Sequence, residues 1–248
     1  MFLAALVPAS FLVGGSLWLN ARTQQEMTGR VDETLDLAIN LQQTLLDADL
    51  TRMQDQAVSL AASPLLLPAV TGGPALTTLL DTARAALPVA DLVTVVDQAG
   101  IVRGRAGATA TGERLRYGGL VDQVLNAAAP MTAVTVIPRA ELAGDPRNVV
   151  SQVRLPVTPT PGATDPGVGP VLEDALALVG AAPVLDPAGR VIGAVLVTDI
   201  LNNDNRLVDE VANLSPHGVP MNATVALNNI RVATNVPAPG AGHRAVGT

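Results

Sequence analysis

The chain contains no cysteine and no lysine, and its 248 residues include only one tyrosine, one tryptophan and two phenylalanines. The absence of cysteine excludes disulfides, a thiol nucleophile and thiolate metal sites. Because lysine is absent, any bound anion has to be held by arginine, backbone N–H groups or hydroxyls. A packed core has to be built mainly from aliphatic side chains, since aromatic residues supply only 2% of the sequence.

Two further classes of function are disfavoured by the sequence. The net charge is −7 and no basic cluster is present, which argues against a nucleic-acid partner. No nucleophile elbow, zinc-protease motif, phosphate-binding loop or dinucleotide fingerprint occurs, and no cofactor is expected. His217 and His243 are far apart in loop sequence, so we expect no metal site. A membrane-anchored enzyme is therefore the weakest hypothesis for this chain.

Residues 1–22 are predicted to form a transmembrane anchor. The run from 2 to 19 carries no charge, and as a helix it would span roughly 27 Å, near the thickness of the hydrocarbon core. Trp18 lies near its end, where interfacial aromatic residues are common, and Arg22 is the first charge after it. A cleavable signal peptide is the alternative, but the charged start that it requires is missing. We expect a protein of the cell membrane whose residues after about 22 are extracytoplasmic.

A long amphipathic stalk helix is predicted over 23–63. Apolar residues recur at three- and four-residue steps, and neither glycine nor proline falls between 31 and 62. Such a stripe packs either on the domain that follows or on a second copy, and we expect a homodimer through residues 24–63. The Ser63–Pro64 pair ends the helix, because the residue before proline avoids helical backbone angles.

After the stalk the pattern predicts an α+β domain over 64–204. Two D-x-A-G turns, at 97–100 and 186–189, each join β-branched segments, which indicates hairpins of one antiparallel sheet. The predicted helices cover 75–87, 118–129 and 202–214, and the predicted strands cover 92–96, 101–105, 131–137, 181–185 and 190–198. The proline- and glycine-rich stretch 156–170 is predicted to be a long loop, either a variable insertion or a lid.

A third hairpin is predicted at 224–227 and 230–234, around Asn228 and Asn229. No further strand or helix follows it in the sequence, and an isolated hairpin is not stable in water. We therefore expect residues 205–248 to be the truncated beginning of a second module.

The order of anchor, long helix, hairpin, helix, strand and hairpin resembles the extracytoplasmic Cache sensor regions of bacterial chemoreceptors, sensor histidine kinases and cyclase-type receptors. The segments that carry the resemblance are 93–105, 180–203 (GAAPVLDPAGRVIGAVLVTDILNN) and 223–248. The last two are similar to the junction where one Cache module runs into a second. The resemblance implies a PAS-like fold and a small-molecule pocket over one face of the sheet, often for carboxylates or amino acids. An output domain beyond residue 248 would be a chemotaxis, kinase or cyclase domain.

The same resemblance indicates candidate ligand-binding arginines. In citrate-sensing kinases the strand after the first turn carries basic residues, which Arg103 and Arg105 match here. The two arginines alternate along a strand, so we expect both on one face, either in the pocket or solvated on the outside. Citrate sensors also carry R-G-K-S-P before the second hairpin, where this chain has VGAAP at 179–183. That departure favours a monoanionic, zwitterionic or weakly polar ligand over a tricarboxylate.

Five other residues complete the candidate site. Arg114, Arg116 and Tyr117 lie in the loop and entry of the next helix, and the amphipathic tyrosine ring suits a pocket rim. Thr135 on the third strand and Thr198 on the fifth would add hydroxyl groups. The leading hypothesis is thus a ligand-sensing receptor module, and the alternative is a ligand-free module that only spaces and dimerises a receptor.

Overall fold

The computed structural model describes residues 39–70, 75–87, 90–108, 112–144, 149–158, 169–214, 221–238, 240 and 242–248. Leu45–Thr248 forms one compact unit, and the residues before it belong to a separate unit. The predicted anchor over 1–22 and the stalk as far as residue 38 lie outside the described residues, as does 159–168 of the predicted loop. None of the helices in the described part of the chain is both long and apolar enough to cross a membrane.

A five-stranded antiparallel sheet is the centre of the compact unit, which confirms the predicted α+β class. Its strand order is β2-β1-β7-β6-β3, and the central strands β6 and β7 are also the longest. Two short hairpins, β4–β5 and β8–β9, lie apart from this sheet. The strands are β1 (Leu92–Asp97), β2 (Val102–Arg105), β3 (Met131–Ile137), β4 (Leu155–Pro156), β5 (Val171–Leu172), β6 (Ala175–Leu185), β7 (Val191–Ile200), β8 (Thr224–Leu227) and β9 (Ile230–Thr234).

Helices cover both faces of the sheet. One face is covered by α1, α2 and α3, whose Met53, Leu66 and Leu80 are buried against it. The other face is covered by α4, α5 and α6. The helices are α1 (39–61), α2 (Leu66–Val70), α3 (Ala75–Ala85), α4 (Leu120–Ala127), α5 (Arg139–Leu142), α6 (Val149–Val153) and α7 (Arg206–Asn213).

The two D-x-A-G turns fold in the same way. The Oδ1 atom of Asp97 accepts the N–H groups of Ala99 and Ile101, and Asp186 accepts those of Ala188 and Arg190 in the same pattern. These bonds, together with the ion pair to Arg190, hold the pKa of Asp186 below its usual range. Glycine ends each turn at a positive φ, which a side chain would oppose. The predicted hairpins are thereby confirmed.

The helix α1 crosses the sheet at Gly180 of β6. A Cβ atom on Gly180 would lie 2.3 Å from the carbonyl carbon of Met53, so the two backbones meet with no side chain between them. Met53 and Ala57 are both buried at this crossing. Over residues 45–61 the predicted apolar stripe therefore packs on the chain's own sheet. The homodimer through 24–63 stays a prediction.

Within this unit, an ion-pair network around Arg206 links the C-terminal residues to α1 and β7. Its Nη1 atom lies 2.9 Å from Asp49 of α1, and its Nη2 atom lies 3.0 Å from Asp199 of β7. Both aspartates are buried. The β8–β9 hairpin packs with β4 and β5 around its own small apolar cluster. The module boundary predicted at residue 205 stays a prediction.

Candidate functional site

Four buried polar side chains meet on the face of the sheet that carries α4, and they are called the polar cluster below. They are Thr94, Arg105, Tyr117 and Thr198. Thr94 alternates with Leu92 and Val96, which belong to the apolar core of this face, so all three side chains point the same way. Arg105 lies directly opposite Thr94 across the β1–β2 ladder, and Thr198 lies opposite Leu92 across the β1–β7 ladder. Tyr117 belongs to the same core, and Arg105 and Thr198 both influence its phenol.

Arg105 is the charged member of the polar cluster, and its side chain is 0% exposed. Its Nη2 atom lies 2.6 Å from Oε1 of Glu113 and donates a 3.3 Å hydrogen bond to the carbonyl of Glu141. Its Nε and Nη1 atoms find no hydrogen-bond partner among the residues that the structure describes. Burying a hydrogen-bond donor without an acceptor costs free energy, so these two nitrogen atoms favour the approach of an acceptor group.

Three buried hydroxyl groups belong to the same cluster as these donors. Thr94 Oγ1, Thr198 Oγ1 and Tyr117 Oη are buried, and within the described ranges none has a hydrogen-bond partner. The Thr198 hydroxyl nevertheless lies within side-chain hydrogen-bonding reach of the phenol, outside the geometric limits of a full hydrogen bond, and this contact lowers the pKa of Tyr117. Burial raises the pKa of Tyr117 to about 12, with Arg105 opposing this and Glu141 adding to it. The phenol is therefore a hydrogen-bond donor at neutral pH.

The backbone around Tyr117 is fixed by Glu141 and by β3. One carboxylate oxygen of Glu141 accepts the N–H groups of Arg116 and Tyr117 at 2.8 and 3.0 Å. Thr135 Oγ1 donates to the carbonyl of Tyr117 at 3.3 Å. An open groove of about 430 Å³ lies beside this segment, lined by residues that include Tyr117, Gln123 and Thr135.

The structure brings together only some of the predicted site residues. Arg105, Tyr117 and Thr198 lie in the polar cluster, and Thr135 contacts it through the backbone of Tyr117. Arg114 pairs with Asp122 at 3.2 Å on the surface, and the Arg116 side chain is exposed. Their ligand-binding roles stay predictions. Thr94, Glu113 and Glu141 were not predicted.

Arg103 and Arg105 were expected together on one face, and the structure gives the two side chains different surroundings. The β1–β2 register shifts between Val95 and Val96, so Arg103 is an extra residue with no partner position on β1. Such a bulge breaks the simple alternation of a strand. Arg103 is half exposed and pairs with Asp97 at 2.6 Å, whereas Arg105 is buried. Tyr117 also differs from its prediction, because it is completely buried and not at a rim.

A second groove, of about 440 Å³, lies between the end of α1 and the β6–β7 hairpin. Its described lining is mostly apolar and includes Val58, Ala182 and Leu185. No residue of the polar cluster is among the described residues that line it, so the two features are separate.

Comparison with solved structures identifies the fold. The periplasmic domain of Vibrio cholerae LuxQ is similar to this chain with a TM-score of 0.50 and 16% identity, over 83% of this chain and 82% of that domain. A second crystal structure of the LuxQ domain gives a TM-score of 0.51 at 15% identity, over 84% of this chain and 80% of that domain. The chain therefore shares the fold of the LuxQ periplasmic domain. The predicted PAS-like sensor fold is thereby confirmed.

The sensor domain of the Vibrio cholerae histidine kinase DctB is similar as well. Its TM-score is 0.50 at 10% identity, and the match covers 75% of this chain and 59% of the DctB domain. No protein-family model matches the chain, and no curated protein matches it significantly in sequence. At these identities the likeness concerns the fold alone.

Proposed function

We propose that this chain is the extracytoplasmic ligand-sensing part of a bacterial transmembrane signalling receptor, and that it binds a small carboxylate or an amino acid at the polar cluster. The observation that carries the proposal is the buried Arg105, whose Nε and Nη1 atoms find no hydrogen-bond partner in the described part of the chain. The sensor-domain fold supports the same function, because its likeness to LuxQ extends over most of both chains.

The chemistry of the polar cluster favours an anionic group. The polar cluster contains several hydrogen-bond donors: the Nε and Nη1 atoms of Arg105, the Tyr117 phenol and the two threonine hydroxyls. A carboxylate contains only acceptors, so it complements these donors. Glu113 already neutralises part of the guanidinium charge from 2.6 Å. A ligand with one negative charge, or a zwitterion, therefore fits better than a tricarboxylate.

The receptor architecture is part of the proposal. Residues 1–22 anchor the chain, 23–63 form the stalk, 64–204 form the sensor domain, and 205–248 begin a second module. A ligand that binds one arrangement of the stalk and sensor domain more tightly shifts the population toward it, and the shift crosses the membrane. The output would belong to a chemoreceptor, a histidine kinase or a cyclase.

A thermal-shift screen of the purified full chain against amino acids and small carboxylates tests this function. A compound present at about 100 times its Kd would add about 2.7 kcal/mol to the free energy of unfolding. Thr198→Val should weaken that response, because it removes a hydroxyl that the ligand would use. Without ligand the same variant should be as stable as the wild type or more so, by up to about 1 kcal/mol, since an unsatisfied buried hydroxyl is lost.

The matched control is Arg103→Gln, which removes an exposed ion pair with Asp97 and should keep the full ligand response. A folded wild-type chain that no compound stabilises would contradict the proposal and favour a ligand-free spacer and dimerisation module. An unchanged response in Thr198→Val would show that the ligand binds elsewhere.

A further inference from the structure

The segment that leads into α4 is a left-handed turn. Its three residues have positive φ angles, 44° at Tyr117, 65° at Gly118 and 96° at Gly119. Glycine adopts these angles without steric cost, whereas tyrosine does not, because its Cβ atom crowds the backbone. Strained conformations of this kind persist only where the surroundings hold them. Here the Glu141 carboxylate and the Thr135 hydroxyl do so.

The turn places the Tyr117 side chain in the polar cluster, where the Arg105 charge and the Thr198 hydroxyl both act on the phenol. The residue is completely buried, and Oη finds no hydrogen-bond partner among the described residues. The ring itself packs well in the apolar core beside Leu120 and Val121. Burial of the ring therefore favours this position, while the backbone strain and the phenol oppose it. These opposing contributions reduce the free-energy difference between the observed position of the ring and an alternative one. A small difference of this kind is what an element with two conformations requires.

The turn also has space on its other side. The groove of about 430 Å³ is lined by Tyr117, Gly118 and Gln123, among others. A Cβ atom at Gly118 would lie 2.4 Å from Thr135 Oγ1, so only glycine fits there in the observed conformation. At Gly119 the nearest atom to an added Cβ is Gln123 Nε2 at 3.9 Å, which leaves room for a methyl group.

We propose that Tyr117 is a gate over the other three residues of the polar cluster, Thr94, Arg105 and Thr198. The gate is closed in the observed structure and opens by backbone rotation at Gly118 and Gly119 toward the adjacent groove. In the closed state the ring occupies space above Arg105 and Thr198 that a ligand would need. Opening relieves the positive φ of Tyr117 and exposes the phenol to water. The role of the gate in sensing rests on the proposed function, but its opening does not depend on any ligand. Apparent ligand affinity is proportional to the population of the open state.

Gly119→Ala tests the gate because it raises the free energy of the closed turn without a clash. An alanine at φ 96° is strained, and the strain is lost when the turn opens. The population of the open state should therefore increase about tenfold. Gly189→Ala is the matched control. Its φ is 77°, nothing lies within 4 Å of its added Cβ, and it lies in the β6–β7 turn.

The readout is nitration of Tyr117 by tetranitromethane on the full chain, measured by mass spectrometry, since the sequence has no other tyrosine. Without denaturant the wild type should react slowly, Gly119→Ala about tenfold faster, and Gly189→Ala like the wild type. Urea unfolding of both variants should show similar losses of global stability. Glu141→Gln is a second route to the open state, because it weakens the acceptor that holds the turn, and it too should speed nitration.

Equal nitration rates in Gly119→Ala and Gly189→Ala would overturn the gate. The gate would also be contradicted if the nitration rate of the wild type depended on urea as steeply as global unfolding does over the whole urea range. A local opening exposes less surface and therefore has a weaker urea dependence. The nitration rates need no ligand, so their failure leaves the proposed ligand site standing. If no compound stabilises the chain but the nitration rates are as expected, the proposed ligand binding is contradicted and the gate is supported.

Discussion

The Tyr117 hydroxyl should resist ionisation far above the normal range of a phenol. Its pKa is raised from 10.0 to about 12 by burial, so the folded chain holds this proton more tightly than the unfolded chain. The folded state therefore loses stability as pH rises from about 10 toward 12. At pH 11 about one tenth of the phenol should be ionised in the folded chain and about nine tenths in urea.

Ultraviolet absorbance of the tyrosinate measures this difference, and Tyr117→Phe supplies the blank because it leaves no tyrosine. A folded chain that is mostly ionised at pH 11 would show that the phenol is in contact with water in the ground state. That result would contradict the buried position of the ring.

Strand alternation was not enough to place the arginines, because the bulge that separates Arg103 from Arg105 depends on the pairing of β1 with β2. Thr94 was overlooked because a β-branched residue inside an apolar strand looks like core filling. The Gly118–Gly119 pair was the available signal for the left-handed turn. The sequence predicts a helix that begins at this pair, at Gly118, whereas α4 begins two residues later, at Leu120.

The contact between α1 and β6 depends on the absence of a side chain at Gly180. Gly180→Ala would place a Cβ atom 2.3 Å from the Met53 backbone, and neither backbone can move away as a flexible side chain could. We expect the free energy of unfolding to fall by about 1–3 kcal/mol. Urea unfolding followed by circular dichroism measures this loss.

The control is Gly169→Ala, where nothing lies within 4 Å of the added Cβ among the described atoms. Equal stability of the two variants would mean that α1 can lift from the sheet at little cost, which would contradict direct backbone packing. The comparison separates crowding at the crossing from the general effect of replacing glycine.

The longer elements were predictable because each has a local signal. The D-x-A-G turns carry their own Asp and Gly, and the segments beside them are β-branched, so both hairpins were found. The helices α5 and α6 and the short β4–β5 pair were not predicted. These elements are only two to five residues long, and tertiary contacts, such as burial of Leu142 and Val153 in the core, decide their conformation.

For the whole molecule, the buried network around Arg206 predicts stability that depends on pH. Burial raises the pKa of Asp199 to about 7, against the opposing charge of Arg206, and Asp91 and Asp204 raise it further. The folded state therefore binds a proton that the unfolded state releases near 3.8. Between these two values the free energy of unfolding falls as pH rises, by on the order of 4 kcal/mol from this group.

Asp199→Asn should flatten this dependence between pH 5 and pH 8, because the amide does not titrate. Urea unfolding curves at the two pH values measure the change for wild type and variant. Asp122→Asn removes a half-exposed carboxylate that pairs with Arg114, and it should keep the wild-type slope. A wild-type slope that persists in Asp199→Asn would assign the pH dependence to other groups.

The strand β3 has a further consequence for the behaviour of the molecule in solution. It forms one boundary of the five-stranded sheet, pairs with β6 in unbroken register, and its sequence MTAVTVI carries no charge. Soluble proteins commonly guard such an edge with charges, proline or a bulge, because its outer N–H and C=O groups are a template for another strand. Among the residues that the structure describes, Pro130 and Pro138 at its two ends are the protection of this kind. Concentrated preparations should therefore associate first along β3, where Val134 and Val136 are exposed.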